Sequence, residues 1–355
     1  MTTDAFDYVV VGGGSAGCVV ASRLSEDPEV TVCLLEAGGT DASVLVQAPA
    51  GVALTLPTHI KNWAFQTVPQ KGLNGRRGYQ PRGKVLGGSS STNAMLYVRG
   101  NRWDYDHWSA LGNPGWSYDE VLPYFRRAEH NETHVSDPLH GSGGPLNVAE
   151  ARSPSALNEA FLAAAALNGV PPVADYNGAE QFGSFMYQVT QKNGERCSAA
   201  KGYITPHLSR PNLEVKTQTT SSRILFEGKR ACGVAYTRGG QEMQIRARRE
   251  VIVSAGAFGS PQLLMLSGIG PGPLLQRLGI PVLQDLRGVG ENLQDHIDHV
   301  QSWRASSDSP TFGVSLRGAV KLSAAMLEWK RQRTGLVTSS FAESGAFLRS
   351  SPEVA

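Results

Sequence analysis

The residues whose types and spacing could do chemistry gather near the amino-terminal end. Gly12, Gly14 and Gly17 form a G-x-G-x-x-G set directly after Tyr8-Val-Val-Val11, a β-branched run that reads as a buried strand. Cys18, Val19, Val20, Ala21 and Leu24 then supply one apolar helical face up to Ser25. After a turn at Asp27-Pro28, Val30 to Leu35 reads as a second strand, and Glu36 follows it at once. This is a βαβ unit for holding a dinucleotide. Gly12 permits the tight turn, Gly14 lets backbone approach a pyrophosphate, and Gly17 lets helix and strand pack closely. The helix N-terminus offers free N–H groups and partial positive charge to phosphates. Glu36 is placed to accept hydrogen bonds from ribose hydroxyls, which argues against a 2′-phosphate and so against NADP. FAD and NAD both stay open on this unit alone.

A second loop runs Gly83-Lys-Val-Leu-Gly87-Gly88-Ser89-Ser90-Ser91-Thr92-Asn93-Ala94-Met95. Paired glycines beside small hydroxyl residues expose backbone N–H groups suited to an anion or a planar heterocycle. A plain linker would not carry Val85, Leu86 and Met95.

With these motifs in view, the chain resembles the glucose–methanol–choline oxidoreductases, FAD enzymes that oxidise alcohols. Gly83 to Asp106 is similar to that family's first signature, and Gly256-Ala-Phe-Gly-Ser260-Pro261 through Gly270 to its second. Gly288-Val-Gly290-Glu-Asn292-Leu-Gln-Asp295-His296 is also typical. Asn62-Trp-Ala-Phe-Gln66 and Tyr187 to Asn193 are similar to bacterial dehydrogenases of aliphatic and related alcohols, and to choline dehydrogenases.

The resemblance implies a set of cofactor contacts. Gly12, Gly14, Ser15, Ala16 and Gly17 would surround the FAD pyrophosphate, with Glu36 on the adenosine ribose. Val85, Gly88, Asn93, Ala94 and Met95 would line the flavin side, partly through backbone groups. Ser221 stands where family members set a backbone group against the adenine. Some members bond FAD covalently to a His that aligns with Thr92; a threonine cannot make that linkage, so non-covalent FAD is expected.

The elements that must position these residues imply an α/β fold. The expectation is a Rossmann-like FAD-binding domain with a parallel sheet, plus the beginning of an α+β substrate-binding domain. The boundaries read as 1–152 and 205–300 for the first, discontinuous domain, and 153–204 and 301–355 for the second. Arg152-Ser-Pro154 and the polar stretch from Ser302 to Pro310 serve as crossings. Leu213 to Phe226 alternates enough to be a strand. Ser260-Pro261 suits a helix start, with a hydroxyl cap and proline in the first turn. Ala156–Leu167 reads as a structural Ala-rich helix. Ser315 to Trp329 can form an amphipathic helix that packs through Leu316, Val320, Leu322, Ala324 and Leu327.

Alcohol oxidation needs a hydride acceptor and a base for the hydroxyl proton. A histidine suits the second task because its unperturbed pKa is about 6.5. In the resembled family the base is a His with a second His or Asn beside it, beyond a large substrate-binding sheet. No position among the eight histidines matches that pair, so no catalytic residue is named. The chain therefore reads as part of a longer alcohol dehydrogenase that passes electrons to an external acceptor. Alternatives are an oxygen-using oxidase, a catalytically silent FAD-binding protein and a lyase on the same scaffold.

Composition narrows the rest. The 355 residues carry 33 Lys plus Arg against 31 Asp plus Glu, so no large basic excess asks for nucleic acid. The nearest basic cluster, Arg246, Arg248 and Arg249, is diluted by Glu242 and Glu250. Cys18, Cys33, Cys197 and Cys232 show no C-x-x-C spacing, and no metal site is expected. Cys18 and Cys33 fall in apolar patterns as buried thiols. No signal-peptide pattern opens the chain and no run approaches the roughly 18 apolar residues of a spanning helix. A reducing, cytoplasmic setting is expected, with peripheral membrane contact left open. Tyr97, Trp103 and Trp116 read as core packing rather than an access route.

Overall fold

The computed structural model describes residues 4–303, 316–351 and 353–354. The chain divides into two compact units, 1–43 with 54–92 and 198–303, and 44–53 with 93–197 and 304–355.

The first unit is built on a six-stranded sheet. Its strands are β1 (Ala5–Val11), β2 (Val32–Leu35), β3 (Leu213–Lys216), β4 (Thr219–Glu227), β5 (Arg230–Arg238) and β6 (Gln241–Val253), in the order β3-β2-β1-β6-β5-β4. β3, β2, β1 and β6 run parallel, with Tyr8 opposite Val32 and Val11 opposite both Leu35 and Val253. β5 and β4 complete the sheet as an antiparallel meander. β2 and the Tyr8–Val11 end of β1 are apolar at every position because both of their faces are covered. Val10, Val32 and Leu34 pack with Cys18 and Ala21 of helix α1 (Ser15–Leu24) and with Ala200, Tyr203 and Ile204. Val9, Val11, Cys33 and Leu35 face the other way, into a cluster with Val234, Tyr236, Ile245 and Leu263. Each fully buried side chain of this kind contributes about 1.5–3 kcal/mol. Cys18 and Cys33 are buried free thiols, and burial pushes each pKa up to about 12.

Two local expectations are corrected here. The run from Leu213 to Phe226 is two strands, because Gln218 adopts φ +54 and turns the chain between β3 and β4. Helix α2 spans Gly256–Leu266, so it begins ahead of Ser260 and carries Pro261 inside it. The N–H that proline lacks would have served only the carbonyl of Ala257, in the first turn.

The second unit carries short pairings. Glu129–Asn131 runs parallel to Leu146–Glu150, which is antiparallel to Gln188–Val189; Gly183–Met186 is antiparallel to Ser344–Phe347. Its longer helices are Arg102–Ala110, Tyr118–Ala128, Leu157–Leu167 and Leu316–Gln332.

The domain boundaries differ from those expected. Residues 93–152 fall in the second unit because 129–131 and 146–150 share a sheet with 188–189, and the Thr190 N–H donates to the Met95 carbonyl. Residues 198–204 fall in the first because Ala200, Tyr203 and Ile204 close the core over α1. The expected crossing at Ser302 to Pro310 lies mostly outside the described residues. The 316–332 helix exists, but its buried stripe is Ala325 and Trp329, with the Trp329 indole donating to the Gly194 carbonyl at 2.7 Å. Val320, Leu322 and Leu327, expected to pack, are exposed. Trp103 and Trp116, expected in the core, are each about half exposed.

Candidate cofactor site

The turn between β1 and α1 leaves no room for side chains at two of its glycines. Gly12 adopts φ +95, and a Cβ there would lie 2.6 Å from the Ser254 carbonyl oxygen. A Cβ on Gly17 would collide with the Gly12 carbonyl. α1 then starts with Gly14 as N-cap, no side-chain cap and no acidic residue in its first turn. Ser15 and Ala16 are exposed at that end. The first-turn N–H groups and the positive end of the helix dipole therefore face outward, ready for an anion.

The second loop closes on this turn by backbone contact. The Gly87 N–H donates to the Gly13 carbonyl at 2.6 Å. Gly88 adopts φ +55, and its Cβ would stand 2.7 Å from the Gly14 Cα. Val85 is fully buried and bridges Gly39 in parallel, so only its main chain could meet a ligand. Thr92, at the end of the loop, is buried.

Glu36 sits at the end of β2, buried, and anchors both neighbours. Its Oε2 accepts the Gly13 N–H at 2.9 Å and its Oε1 accepts the Gly38 N–H at 2.7 Å. Burial is the dominant influence and lifts its pKa to about 7, against the pull of those two N–H groups and of Lys84. A carboxylate has about four acceptor positions, so two remain for hydroxyl donors. The start of β4 abuts this strand end: the Thr219 N–H donates to the Glu36 carbonyl at 2.8 Å. Ser221, half-buried, follows two residues along β4 and pairs with Tyr236. The residues of the first unit thus fit a dinucleotide: a helix N-terminus with no side-chain cap, backbone-only glycine contacts beside it, and an acid at the end of the second strand.

Asn93, Ala94 and Met95 belong to the second unit. Met95 is fully buried with φ +62, and its N–H donates to Asn93 Oδ1 at 3.1 Å. Asn93 is exposed and is held by Arg196, whose Nη1 donates to its carbonyl at 2.8 Å and to Oδ1 at 2.9 Å. Arg196 is buried, and burial lowers its pKa to about 10.

Sequence reasoning did not single out Arg196, nor a buried charge network in the same unit. Arg99 pairs with Glu129; Glu129 Oε1 meets His140 Nδ1 at 3.0 Å, and His140 Nε2 meets Asp175 Oδ2 at 2.8 Å. Burial opposes a charge on His140, but the Asp175 and Glu129 hydrogen bonds outweigh it and raise its pKa to about 9. The only advance signal was His140 directly before Gly141, amid a run that otherwise reads as surface. Of the eight histidines only His140 is fully buried; His296 and His299 are exposed, and neither is placed as a base. Among the described residues no cluster of His, Cys, Asp or Glu is arranged to hold a metal ion.

Comparison with known proteins agrees with this geometry. A sequence model of the family described as GMC oxidoreductase matches residues 6–298. The alcohol dehydrogenase [acceptor] of Pseudomonas putida is 42% identical over 350 residues, 98% of this chain and 63% of that protein. Human mitochondrial choline dehydrogenase is 45% identical over 359 residues, 99% of this chain and 60% of that protein. The crystal structure of a formate oxidase superposes with a TM-score of 0.87 at 31% identity, over 98% of this chain and 62% of that one. An FAD-dependent oxidoreductase from Chaetomium thermophilum gives 0.83 at 32%, over 96% and 61%. The chain spans about three fifths of the length of these relatives. On the family match and the glycine-loop geometry together, the chain belongs to the GMC oxidoreductase family.

Proposed function

We propose that this chain carries the FAD-holding part of a flavin-dependent alcohol dehydrogenase whose electrons pass to an external acceptor. The observation that carries the reading is the closure of the 83–92 loop on the β1–α1 turn through Gly88 and Gly14, beside a buried Glu36. FAD, when bound, supplies the acceptor for the hydride leaving the alcohol carbon. The chain's own residues bind and orient. The α1 N-terminus with Ser15 and Ala16 holds the pyrophosphate, Glu36 accepts from ribose hydroxyls, and Ser221 marks the adenine side. Asn93, held by Arg196, and its neighbours Ala94 and Met95 are assigned to the flavin by family resemblance. Thr92 offers a hydroxyl where a linkage would need an imidazole, so the flavin is held non-covalently. The four buried free cysteines support a reducing, cytoplasmic setting.

The substrate class follows the relatives: an alcohol, with choline as one candidate, as the names of the Pseudomonas putida and human proteins indicate. Oxygen as acceptor is the second reading, favoured by similar structures described as oxidases. The test is a visible spectrum of the purified chain reconstituted with FAD, followed by acid precipitation. Flavin bands whose colour is fully released into the supernatant are expected. A coloured pellet would overturn the non-covalent assignment, and no flavin retention at all would overturn the cofactor reading. In a protein of the relatives' full length, alcohol should bleach those bands without oxygen present. Rapid oxygen consumption would favour the oxidase.

A further inference from the structure

Between Asp41 and Asp104 the sequence contains no acidic residue. Within that window, the part belonging to the first unit, 54–92, carries Lys61, Lys71, Arg76, Arg77, Arg82 and Lys84. This is a larger basic cluster than Arg246, Arg248 and Arg249, undiluted by acidic residues, and it leaves the remaining residues net acidic. Salt bridges among the described residues lie elsewhere, as in Arg102–Asp119 and Arg246–Glu227; none of the six takes part in one.

The structure sets three of these charges, Lys71, Arg76 and Arg77, on the tip of one hairpin. Phe65–Gln66 pairs antiparallel with Tyr79–Gln80, and the intervening tip is ordered by its own backbone. The Thr67 N–H donates to Gly78, Gln70 to Arg76, and Gly75 to Gln70. Lys71, Arg76 and Arg77 are exposed on that tip. Exposed apolar side chains stand among them: Val68, at 70% exposure, and Leu73. The neighbouring 54–60 loop adds exposed Leu54 and Ile60, and it is tied to the hairpin base where Tyr79 Oη donates to the Leu56 carbonyl at 2.6 Å.

We propose that this hairpin tip is a docking surface for an anionic phospholipid bilayer. The charge complementarity is one-sided: Lys71, Arg76 and Arg77 of the tip form no salt bridge among the described residues, and the bilayer supplies anionic headgroups, each nearby Lys or Arg contributing about 1 kcal/mol of attraction. The apolar side chains decide between partners. Val68 and Leu73 gain by entering the acyl boundary while long cationic side chains reach back to the headgroups. An acidic protein face would match the cations but gains less from aliphatic tips interleaved with them, because the apolar core of a protein interface is depleted of charged residues. No helix of the described residues is long and apolar enough to cross a membrane, so contact of this kind would be peripheral.

The proposal does not rest on the flavin reading. It is tested by co-sedimentation of the protein with vesicles of phosphatidylcholine alone, and with vesicles of phosphatidylcholine and phosphatidylglycerol in equal parts. Binding to the mixed vesicles only is expected, with release in high salt. Replacing Lys71→Gln, Arg76→Gln and Arg77→Gln together should lower the partition coefficient about 100-fold, three charges at the per-residue attraction above. Val68→Ser with Leu73→Ser should lower it too, while leaving retention on immobilised polyglutamate unchanged. Circular dichroism melts of both variants should match the parent, since all five positions are exposed. Equal binding to both vesicle types, or full binding by the triple variant, would overturn the proposal. Retention on polyglutamate without any vesicle binding would overturn it in favour of an acidic macromolecule.

Discussion

Gly88 is stacked on Gly14, so that a single added methyl group at Gly88 would stand 2.7 Å from the Gly14 Cα. The contact joins the two glycine loops through main chain alone. Together with the Gly87 N–H bond to the Gly13 carbonyl, it holds the serine-rich part of the loop in one position over the β1–α1 turn.

Gly88→Ala follows directly as a test. Alanine at φ +55 costs on the order of 1–2 kcal/mol in backbone strain, before the clash with Gly14 is counted. The expected outcome is a lower melting temperature and loss of most of the flavin retained after gel filtration, read as the ratio of visible to ultraviolet absorbance. Gly75→Ala is the control. It also has positive φ, but nothing lies within 4 Å of its Cβ, so it should lower stability without touching flavin retention. Equal flavin loss in both variants would refute the role given to the Gly14–Gly88 contact.

Glu36 gives a pH dependence with a definite sign. Its pKa in the ligand-free fold is raised from 4.5 to about 7 by burial. The stability it contributes is therefore complete below pH 4.5 and is lost as pH rises through about 7. Ribose hydroxyls donate to the ionised carboxylate and favour that form. FAD affinity should then rise with pH across the region of pH 7 and level off above it. Measured dissociation constants from pH 5.5 to 8.5 check this, and Glu36→Gln should flatten the curve. Affinity that falls with rising pH would sink the assignment of Glu36 to the ribose.

His140 supplies a second test site, in the other unit and with the same sign at higher pH. Its pKa of about 9 lies above the ordinary 6.5, so the charged imidazole contributes stability that is complete below pH 6.5 and is lost as pH rises through about 9. Asp175→Asn removes one of its two acid partners, and His140→Gln removes the imidazole from between Glu129 and Asp175. Breaking a buried charged pair on one side costs about 3–5 kcal/mol. Both variants should unfold at lower urea concentration at pH 6, and the gap to the parent should narrow by pH 9.5. A pH-independent gap would mean that His140 is neutral in the fold.

What was legible in the sequence was whatever depends on local order. Gly12 to Gly17, the strands on either side and Glu36 could be placed because strand, turn, helix and strand follow one another within thirty residues. The 316–332 helix was legible as a helix but not in its facing, since Ala325 and Trp329 are buried by Gly194 and by other segments far along the chain. The same holds for the boundary at 92–93, which is set by pairing with residues 188–190. Arg99, Glu129, His140 and Asp175 come from four separate stretches, and no spacing rule brings them together. The hairpin cations were a different case: the acid-free window was readable, but overall charge balance concealed it.

Asn62 is the hub that sets the 54–66 loop against the hairpin, and its two side-chain ends can be separated by mutation. Nδ2 donates toward the Thr55, Leu56 and Thr58 carbonyls, at 3.1, 3.0 and 2.9 Å, while Oδ1 accepts the Ala64 and Arg82 N–H groups, both at 2.9 Å. Asn62→Ala leaves these groups without their partner in a buried site, at a cost of about 1–3 kcal/mol for each one that water cannot reach. Asn62→Asp keeps the acceptor but turns a carboxylate oxygen toward three carbonyls, replacing attraction by repulsion where burial already disfavours the charge. The aspartate variant should therefore be the less stable of the two above pH 7, by urea denaturation, and should recover toward the alanine variant as the carboxyl is protonated in acid. An aspartate variant as stable as the parent at neutral pH would show that the three carbonyl contacts do not hold this loop.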